Sequence, residues 1–455
     1  MFSKKISRIL LATAAIVMAG CAGSRKAQQP GSKGLSGLTG IERVKHVVVI
    51  YMENHSFDNL YGQFEGAEGL ANASEESVTQ VDREGKPYKF LPPIPRSSEF
   101  PTNIPNNYFN IDQYISSDKE TPDVVHRYYQ EQAQINNGKM NMFAAYNSTA
   151  GLTMGYYKTS LLPLYPVAKE FTLCDHFFHS AFGSSFLNHQ WLIAAATPYF
   201  ENAPKQMRAV LDENGKYKKD GSVTPDGYAV NTVYSVNQPH PSGARKSRLV
   251  PNQTNPTIGD RLSEKNISWA WYSGGWDDAM ADNADEFFQY HHQPFVYFKN
   301  FADGTAAKKE HLKDEKDFLK AAKEGNLPAV SFVKPLGMQN EHPGYSNVIT
   351  GENHALELIN AVRNGPNWKD AVVILTYDEN GGFWDHVAPP VIDKWGPGIR
   401  IPAIIISPFA KKGYVDHTQY ETVSILAFIE KRWGLKPLNS RDGNANPLQG
   451  AFEFK

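Results

Sequence analysis

The stretch that most constrains this chain is Ala371–Pro390, AVVILTYDENGGFWDHVAPP. It begins with the unbroken apolar run AVVILTY, which is typical of a strand buried on both faces of a parallel sheet. The run ends abruptly in two carboxylates, Asp378 and Glu379. Because open α/β sheets bind ligands at the carboxyl ends of their strands, the stretch predicts a buried strand that delivers both carboxylates to a site.

Adjacent carboxylates at the edge of an apolar core need a partner, since like charges at close range raise each other's pKa. A divalent cation removes that penalty by binding both groups. Gly381 and Gly382 follow directly and allow the backbone to turn tightly beside such an ion. The simpler alternative is a solvated acidic turn that caps a helix, and the Asp-Glu pair alone does not decide between them.

A second buried-strand run, KHVVVIYM over Lys45–Met52, also ends in polar groups, Glu53 and Asn54. The amide of Asn54 offers a neutral oxygen, which is a common ligand for hard cations. Two parallel strands that each deliver a carboxylate at the same edge therefore predict a metal site.

A serine pair supplies the third polar group, in GSSFLN followed by the helix-like run HQWLIAAAT. A serine at a glycine turn before a helix lies where the free N–H groups and the positive end of the helix dipole point. Such a position suits a nucleophile that attacks a phosphate. The alternative is a serine that only caps the helix, and from position alone either Ser184 or Ser185 fits.

Strands alternate with helices through most of the chain, which predicts a largely parallel sheet covered on both faces. We expect an irregular covering segment over residues 65–120, a hairpin excursion over 205–256, and a helix over Pro122–Asn137 that carries His126. The formal net charge of −2 argues against nucleic acid as a partner, because phosphate backbones attract basic surfaces. Further predicted strands are Phe171–Cys174, Ser268–Tyr272, Ala329–Val333 and Ile401–Ile406, and further predicted helices are Thr257–Asn266, Glu315–Glu324, Glu352–Asn364 and Tyr420–Trp433.

Residues 1–21 are predicted to be a lipoprotein signal peptide. A basic start precedes the apolar run Ile9–Ala19, which is too short to span a bilayer, and small residues then precede Cys21. This pattern resembles a bacterial lipobox, which implies an acylated Cys21, a lipid anchor in the membrane, and a place in the bacterial cell envelope at the outer membrane or in the periplasm. Ordinary secretion stays open. Residues 22–40 are predicted to be a flexible tether, and residues 41–455 one folded domain.

Four blocks, YMENHSFDNLYG, HSAFGSSFLNHQ, NEHPG and TYDENGGFWDHVAPP, resemble those of the bacterial phospholipase C/acid phosphatase phosphoesterase family. That family belongs to the alkaline phosphatase superfamily. The GSSFLNHQ form is most similar to the respiratory-burst-inhibiting acid phosphatase branch. The resemblance implies an alkaline-phosphatase-like three-layer α/β/α fold with a mostly parallel central sheet, in which residues 41–455 form a single phosphoesterase domain.

The resemblance also assigns roles to residues. The nucleophile falls on Ser185, and one divalent metal ion (Ca²⁺, Mg²⁺, Mn²⁺ or Zn²⁺) is implied. Asn340 stands where relatives have an acid. The implied metal ligands are Glu53, Asn54, Asp378, Glu379 and the Ser185 hydroxyl, and the implied phosphate-contacting residues are His126, His342 and either His291 or His292.

The activity implied is that of a metal-dependent acid phosphatase that hydrolyses phosphomonoesters through a phosphoserine intermediate. In it, His342 protonates the leaving oxygen. The alternative enzyme is a phospholipase C acting on phosphatidylcholine-type lipids. A third possibility is a surface lipoprotein that keeps the fold without the activity.

Overall fold

The structure is a computed structural model that describes residues 39–454. The predictions for the signal peptide, for Cys21 and for most of the tether lie outside these residues. The α-helices are α1 (Phe57–Tyr61), α2 (Glu75–Val78), α3 (Tyr128–Ile135), α4 (Tyr165–Glu170), α5 (Ser185–Ala194), α6 (Ile258–Glu264), α7 (Trp276–Met280), α8 (Ala306–His311), α9 (Glu315–Glu324), α10 (Val348–Arg363), α11 (Thr422–Trp433) and α12 (Ser440–Gly443). The strands are β1 (His46–Met52), β2 (Phe109–Asn110), β3 (Gly155–Tyr156), β4 (Thr172–Cys174), β5 (Phe177–Phe178), β6 (Val210–Leu211), β7 (Tyr217–Lys219), β8 (Tyr234–Ser235), β9 (Leu249–Val250), β10 (Trp269–Ser273), β11 (Leu312–Asp314), β12 (Val330–Lys334), β13 (Ala371–Tyr377), β14 (Ala403–Ile406), β15 (Tyr414–Asp416) and β16 (Tyr420–Glu421).

An eight-stranded sheet forms the centre of the described chain, in the order β11-β10-β12-β1-β13-β14-β4-β15. Its pairings are parallel except at β14, which runs antiparallel to both β13 and β4. The two apolar runs singled out in the sequence become β1 and β13, which are neighbours at the centre of the sheet. The mostly parallel α/β fold predicted from the sequence is therefore confirmed.

Layers cover both faces of this sheet. Tyr51 in β1 donates from its hydroxyl to the carbonyl of Asn188 in α5 at 3.4 Å. Tyr377 in β13 pairs in register with Met52 and so projects from the opposite face, because successive side chains of a strand alternate. Its hydroxyl donates to Glu341, just before α10, at 2.9 Å. Helices α5 and α11 pack together, as do α9 and α10, which gives the three-layer arrangement.

The predicted insertions are present in part. Strands β6 and β7 form an antiparallel hairpin, as the turn signals of residues 205–256 indicate, but β8 and β9 pair in parallel. Among residues 39–454, no helix is long and apolar enough to cross a membrane.

The helix predicted over Pro122–Asn137 is too long at its start. Within that range, Tyr128–Ile135 is the α-helical part, and His126 lies in the extended segment before it. The side chain of Asn147 explains the difference, since it accepts from the Val125 N–H at 3.1 Å and donates to the Val125 carbonyl at 2.9 Å. With both backbone groups of Val125 bound this way, the segment is held out of a helix.

Candidate active site

The register of the two central strands brings the first carboxylates together. Met52 pairs with Tyr377, so the residues that follow, Glu53 and Asp378, leave the sheet side by side. The backbone N–H of Asn54 donates to Asp378 Oδ1 at 3.1 Å. The N–H of Glu379 donates to the same oxygen at 2.8 Å. Backbone groups thus hold the carboxylate of Asp378 in place at the carboxyl edge of the sheet.

A glycine is required beside this cluster. Gly381 has a φ of +61°, and a Cβ built on it would lie 2.0 Å from the carbonyl oxygen of Asn54. Its N–H donates to Glu379 Oε2 at 2.7 Å. The turn therefore both approaches Asn54 closely and orients the second carboxylate, which only a residue without a side chain allows.

The structure separates the two serines. Ser184 is the N-cap of α5, and its hydroxyl donates to the Val230 carbonyl at 3.1 Å. Ser185 is the first residue of α5, and its Oγ lies 3.1 Å from Glu53 Oε2 and 3.3 Å from Asn54 Oδ1. Ser185 is thus the serine that meets the carboxylate cluster, at the end of the helix where the free N–H groups point.

All five predicted metal ligands meet at one point, and their surroundings fit a cation. The Asn54 amide oxygen faces oxygens of Glu53 and Glu379, each at 3.0 Å, and of Asp378 at 3.3 Å. Without a cation, the amide satisfies these acceptors only if its nitrogen takes the place of its oxygen. With a cation among the oxygens, the present orientation is the favourable one. Asp378 Oδ2 is buried and has no hydrogen-bond partner among residues 39–454. The donor set is rich in oxygen, which suits a hard divalent ion.

The charges of the cluster are strongly coupled. Burial, and then the charge of Glu53, raises the pKa of Asp378 well above its usual range. Burial, and then Asp378, does the same for the pKa of Glu379. Burial also opposes ionisation of Glu53, but Lys334 and His292 outweigh it and hold the pKa of Glu53 well below its usual range. The repulsion expected from the sequence is therefore present, and one carboxylate has cationic neighbours of its own.

Two of the predicted histidines face the amide of Asn54. The Nε2 atoms of His126 and His342 lie 3.3 and 3.0 Å from it, and the two rings are 5.3 Å apart. His126 Nδ1 lies 2.5 Å from the Val124 carbonyl, and His342 Nδ1 lies 2.6 Å from that of Pro343. With Nδ1–H donating to these carbonyls, both Nε2 atoms point into the site.

The structure brings both His291 and His292 into the site. His292 Nε2 lies 3.1 Å from Glu53 Oε1, and the ring of His291 is 4.6 Å from that of His292. Burial, despite Glu53, lowers the pKa of His292 to about 4, and burial lowers the pKa of His291 and of His342 as well. These imidazoles are therefore neutral near pH 7 in the free site.

Two further residues of the site, His189 and Lys334, are not among those predicted from the sequence. His189 lies one helical turn after Ser185, stacks on His292 at 5.0 Å between centroids, and has its Nδ1 2.7 Å from the Ser185 carbonyl. Lys334, the last residue of β12, is fully buried and forms an ion pair with Glu53. The sequence does hold signals for both. His189 lies four residues after Ser185 and so on the same face of a helix, and Lys334 follows an apolar run directly, as Glu53 and Asp378 do.

Asn340, at the position where the resemblance implies an acid, binds the backbones of two site residues. Its backbone carbonyl accepts from the Glu53 N–H at 2.9 Å. Its Oδ1 accepts from the His342 N–H at 3.0 Å. The side chain thus orients the backbone that carries His342.

The chain matches the model of the phosphoesterase family over residues 44–436, and it belongs to that family. A non-hemolytic phospholipase C from Pseudomonas aeruginosa is 25% identical over 459 residues, covering 91% of this chain and 58% of that protein. A non-specific phospholipase C3 from Arabidopsis thaliana is 24% identical over 463 residues, covering 90% of this chain and 73% of that protein. The chain thus spans less than two thirds of the length of the Pseudomonas relative.

Two solved structures align with this chain at low sequence identity. A protein of that superfamily from Vibrio parahaemolyticus aligns at 12% identity and a TM-score of 0.34, covering 64% of this chain and 67% of that chain. The lipoteichoic acid synthase LtaP from Listeria monocytogenes aligns at 10% identity and a TM-score of 0.35, covering 90% of this chain and 77% of that chain.

Proposed function

We propose that this chain is a metal-dependent phosphoric ester hydrolase in which Ser185 attacks phosphorus and forms a phosphoserine. The observation that carries the proposal is the position of Ser185 Oγ, 3.1 Å from Glu53 Oε2 at the start of α5. The hydroxyl there is oriented by donating to that carboxylate, and the helix N-terminus faces the anionic group that it attacks.

Glu53, Asn54, Asp378, Glu379 and the Ser185 hydroxyl are the residues that would hold the metal. A bound divalent cation would lower the pKa of the serine hydroxyl and stabilise charge on the phosphoryl oxygens. Burial, with the charge of Glu53 acting on Asp378 and that of Asp378 acting on Glu379, raises the pKa of both carboxyls well above the usual range. Binding the ion therefore requires the protons held there to leave.

The histidines supply the proton for the leaving oxygen. His342 and His126 present Nε2 toward the amide of Asn54, and from there a protonated imidazole can donate to the leaving oxygen. The serine hydroxyl releases its proton to solvent, the Oγ–phosphorus bond forms as the bond to the leaving oxygen breaks, and that oxygen takes the proton of His342. A water molecule then hydrolyses the phosphoserine. A phosphate dianion favours the protonated imidazole, so the substrate itself supports this step.

The first substrate class proposed is the phosphomonoester, which rests on the resemblance of GSSFLNHQ to the acid phosphatase branch. The second candidate is phospholipase C activity on phosphatidylcholine-type lipids. It is favoured by the relatives that cover about nine tenths of this chain and are named phospholipase C.

Parallel assays separate the two candidates. The purified protein is assayed with a soluble phosphomonoester and with phosphatidylcholine vesicles, each with and without a chelator. We expect chelator-sensitive release of phosphate from the monoester, abolished in Ser185→Ala and retained in the matched control Ser184→Ala. Release of phosphocholine instead would make the chain a phospholipase C. No hydrolysis of either substrate with added metal would contradict the proposal.

We further propose that the chain is anchored in a bacterial envelope membrane through Cys21. The support is the basic and apolar leader that ends in Ala-Gly-Cys. Cys21→Ser should move the protein from the membrane fraction to the soluble fraction. A wild-type protein already soluble, with a mature N-terminus elsewhere, would contradict the anchor.

A further inference from the structure

A second polar cluster lies at the carboxyl edge of the sheet, beyond the candidate active site. Strands β4 and β15 are parallel, and Asp416 pairs with Cys174 in register. The next residues, Asp175 with His176 and His417, therefore leave the sheet side by side. His176 Nδ1 lies 2.9 Å from Asp175 Oδ1, and His417 Nδ1 lies 2.8 Å from Asp175 Oδ2. Parallel strand ends thus deliver histidines and a carboxylate here, as they do at the centre of the sheet.

Two residues from distant segments complete the cluster. Glu68 reaches His176, with its Oε2 3.1 Å from His176 Nε2. His386, from the loop after β13, has its Nδ1 2.6 Å from Asp58 Oδ2 and its Nε2 3.9 Å from Glu68 Oε1. Glu68 therefore lies between two imidazole Nε2 atoms.

Both imidazoles are held as metal-ligating histidines are. His176 and His386 each place Nδ1 against a buried carboxylate, Asp175 and Asp58, which are 0% and 1% exposed. A carboxylate behind one ring nitrogen orients the ring and leaves the other nitrogen as a lone-pair donor. In both residues that other nitrogen faces Glu68.

One atom of this arrangement is left without a partner. The side chain of His386 is 5% exposed, and within the described part of the chain its Nε2 has no hydrogen-bond partner. The 3.9 Å to Glu68 Oε1 is too long for a hydrogen bond. A network of direct ion pairs would leave this buried nitrogen unsatisfied, whereas a cation between it and Glu68 would satisfy it.

We propose that Glu68, His176 and His386 form a second metal site, for a borderline divalent cation of the Zn²⁺ class. Zn–N and Zn–O bonds of ~2.0–2.1 Å at tetrahedral angles place ligand atoms about 3.3 Å apart, and the two distances to Glu68 are 3.1 and 3.9 Å. Two histidines and one glutamate are a known zinc donor set. None of the three belongs to the candidate active site, so the proposal stands apart from the proposed function.

The ion would join segments that are far apart in sequence: the loop after α1, the end of β4 and the loop after β13. Its expected effect is on stability, because a ligand that binds the folded state alone stabilises it. His417, which is 58% exposed, lies at the rim of this cluster, and its ring is 6.4 Å from that of His176.

The test is zinc stoichiometry on the full chain, measured by equilibrium dialysis and elemental analysis after chelator treatment, with Zn²⁺ as the only added metal. The Asp378→Asn/Glu379→Gln variant is the background, so that the active-site carboxylates do not compete. In it we expect about one bound zinc. We expect Glu68→Gln, a substitution at a half-exposed side chain, and His386→Gln each to weaken zinc binding by at least ~10-fold. His240→Gln is the matched control outside the cluster and should bind zinc as its parent does.

The same comparison on the otherwise wild-type chain guards against a background variant that fails to fold. There, Glu68→Gln should lower the bound zinc and the zinc-dependent rise in melting temperature, and His240→Gln should change neither. Unchanged zinc binding in both Glu68→Gln and His386→Gln would overturn the proposal, as would loss of zinc in His240→Gln to the same extent.

Discussion

Replacing Asp378 with Asn should have opposite effects on the metal-free and the metal-bound protein. Asp378 is fully buried, and burial together with Glu53 raises its pKa. At pH 7 the folded, metal-free protein therefore holds a proton on Asp378 that the unfolded chain releases, and this costs folding free energy. Asparagine keeps an oxygen that can accept from Asn54 and Glu379, and it has no carboxyl group that must take up a proton on folding. We therefore expect the chelator-treated variant to be at least as stable as the wild type.

The metal-bound proteins should differ in the other direction. At a metal concentration of about 100 Kd, the wild type gains ~2.7 kcal/mol of folding stability. Loss of one anionic ligand should weaken metal binding by roughly 100-fold, the largest effect usual for mutating a residue that hydrogen-bonds to a metal ligand. At the same metal concentration the variant then gains only ~0.4 kcal/mol of folding stability. With an unfolding entropy of ~2.1 cal/mol/K per residue over 455 residues, each kcal/mol shifts the melting temperature by about 1 °C.

Differential scanning calorimetry of chelator-treated protein, with and without added metal, measures both effects. The wild type should gain about 3 °C on metal addition, and Asp378→Asn less than about 1 °C. An equal metal-dependent shift in the two proteins would refute the assignment of Asp378 as a ligand. A chelator-treated variant several degrees less stable than wild type would refute the inference that the raised pKa of Asp378 costs folding stability.

Further predictions concern the neighbouring residues. Ser185→Ala should lower kcat for phosphoester hydrolysis by ~10³-fold or more, whereas Ser184→Ala, which loses only the bond to a backbone carbonyl, should lower it far less; steady-state kinetics with the reverse ranking would make Ser184 the nucleophile. Above pH about 6.5, where the buried histidines of the site are neutral in the folded and the unfolded state alike, the chelator-treated protein should lose stability as pH rises, because the raised pKa values of Asp378 and Glu379 make the folded state hold protons that the unfolded state releases. Calorimetry at several pH values checks this, and a stability that rises with pH over that range would contradict it. Lys334→Met removes one partner of a buried ion pair and should cost ~3–5 kcal/mol of unfolding free energy without metal, measured by urea denaturation; a loss below ~1 kcal/mol would show that the pair is not needed.

The central strands and the carboxylates that follow them can be predicted from the sequence, because both depend on the same apolar runs. The runs before Glu53 and Asp378 are apolar throughout, which favours central parallel strands, and parallel strands end at one edge. Their pairing then places the two carboxylates together. The choice between Ser184 and Ser185 does not follow from position, since both lie at the same turn. It depends on which hydroxyl the rest of the fold contacts.

Other parts of the site depend on contacts that periodicity does not show. The sequence predicts His126 within a helix. In the structure His126 lies in an extended segment, because the side chain of Asn147, from a later segment, binds the backbone of Val125. Lysine side chains usually lie at the surface. Lys334 is buried against Glu53 because β12 pairs with β1. Strand order decides which strand ends are neighbours, and a single sequence leaves that order open.

If Ser185 is the nucleophile, it becomes phosphorylated during turnover, and mass spectrometry of the acid-quenched enzyme detects the phosphate. The protein is mixed with metal and a soluble phosphomonoester, quenched during steady-state turnover and digested. We expect phosphate on Ser185 of the wild type and of Ser184→Ala. We expect none in Ser185→Ala and none without added substrate. Steady turnover with no phosphate on Ser185, or with phosphate on Ser184 instead, would contradict the assignment of Ser185 as the nucleophile.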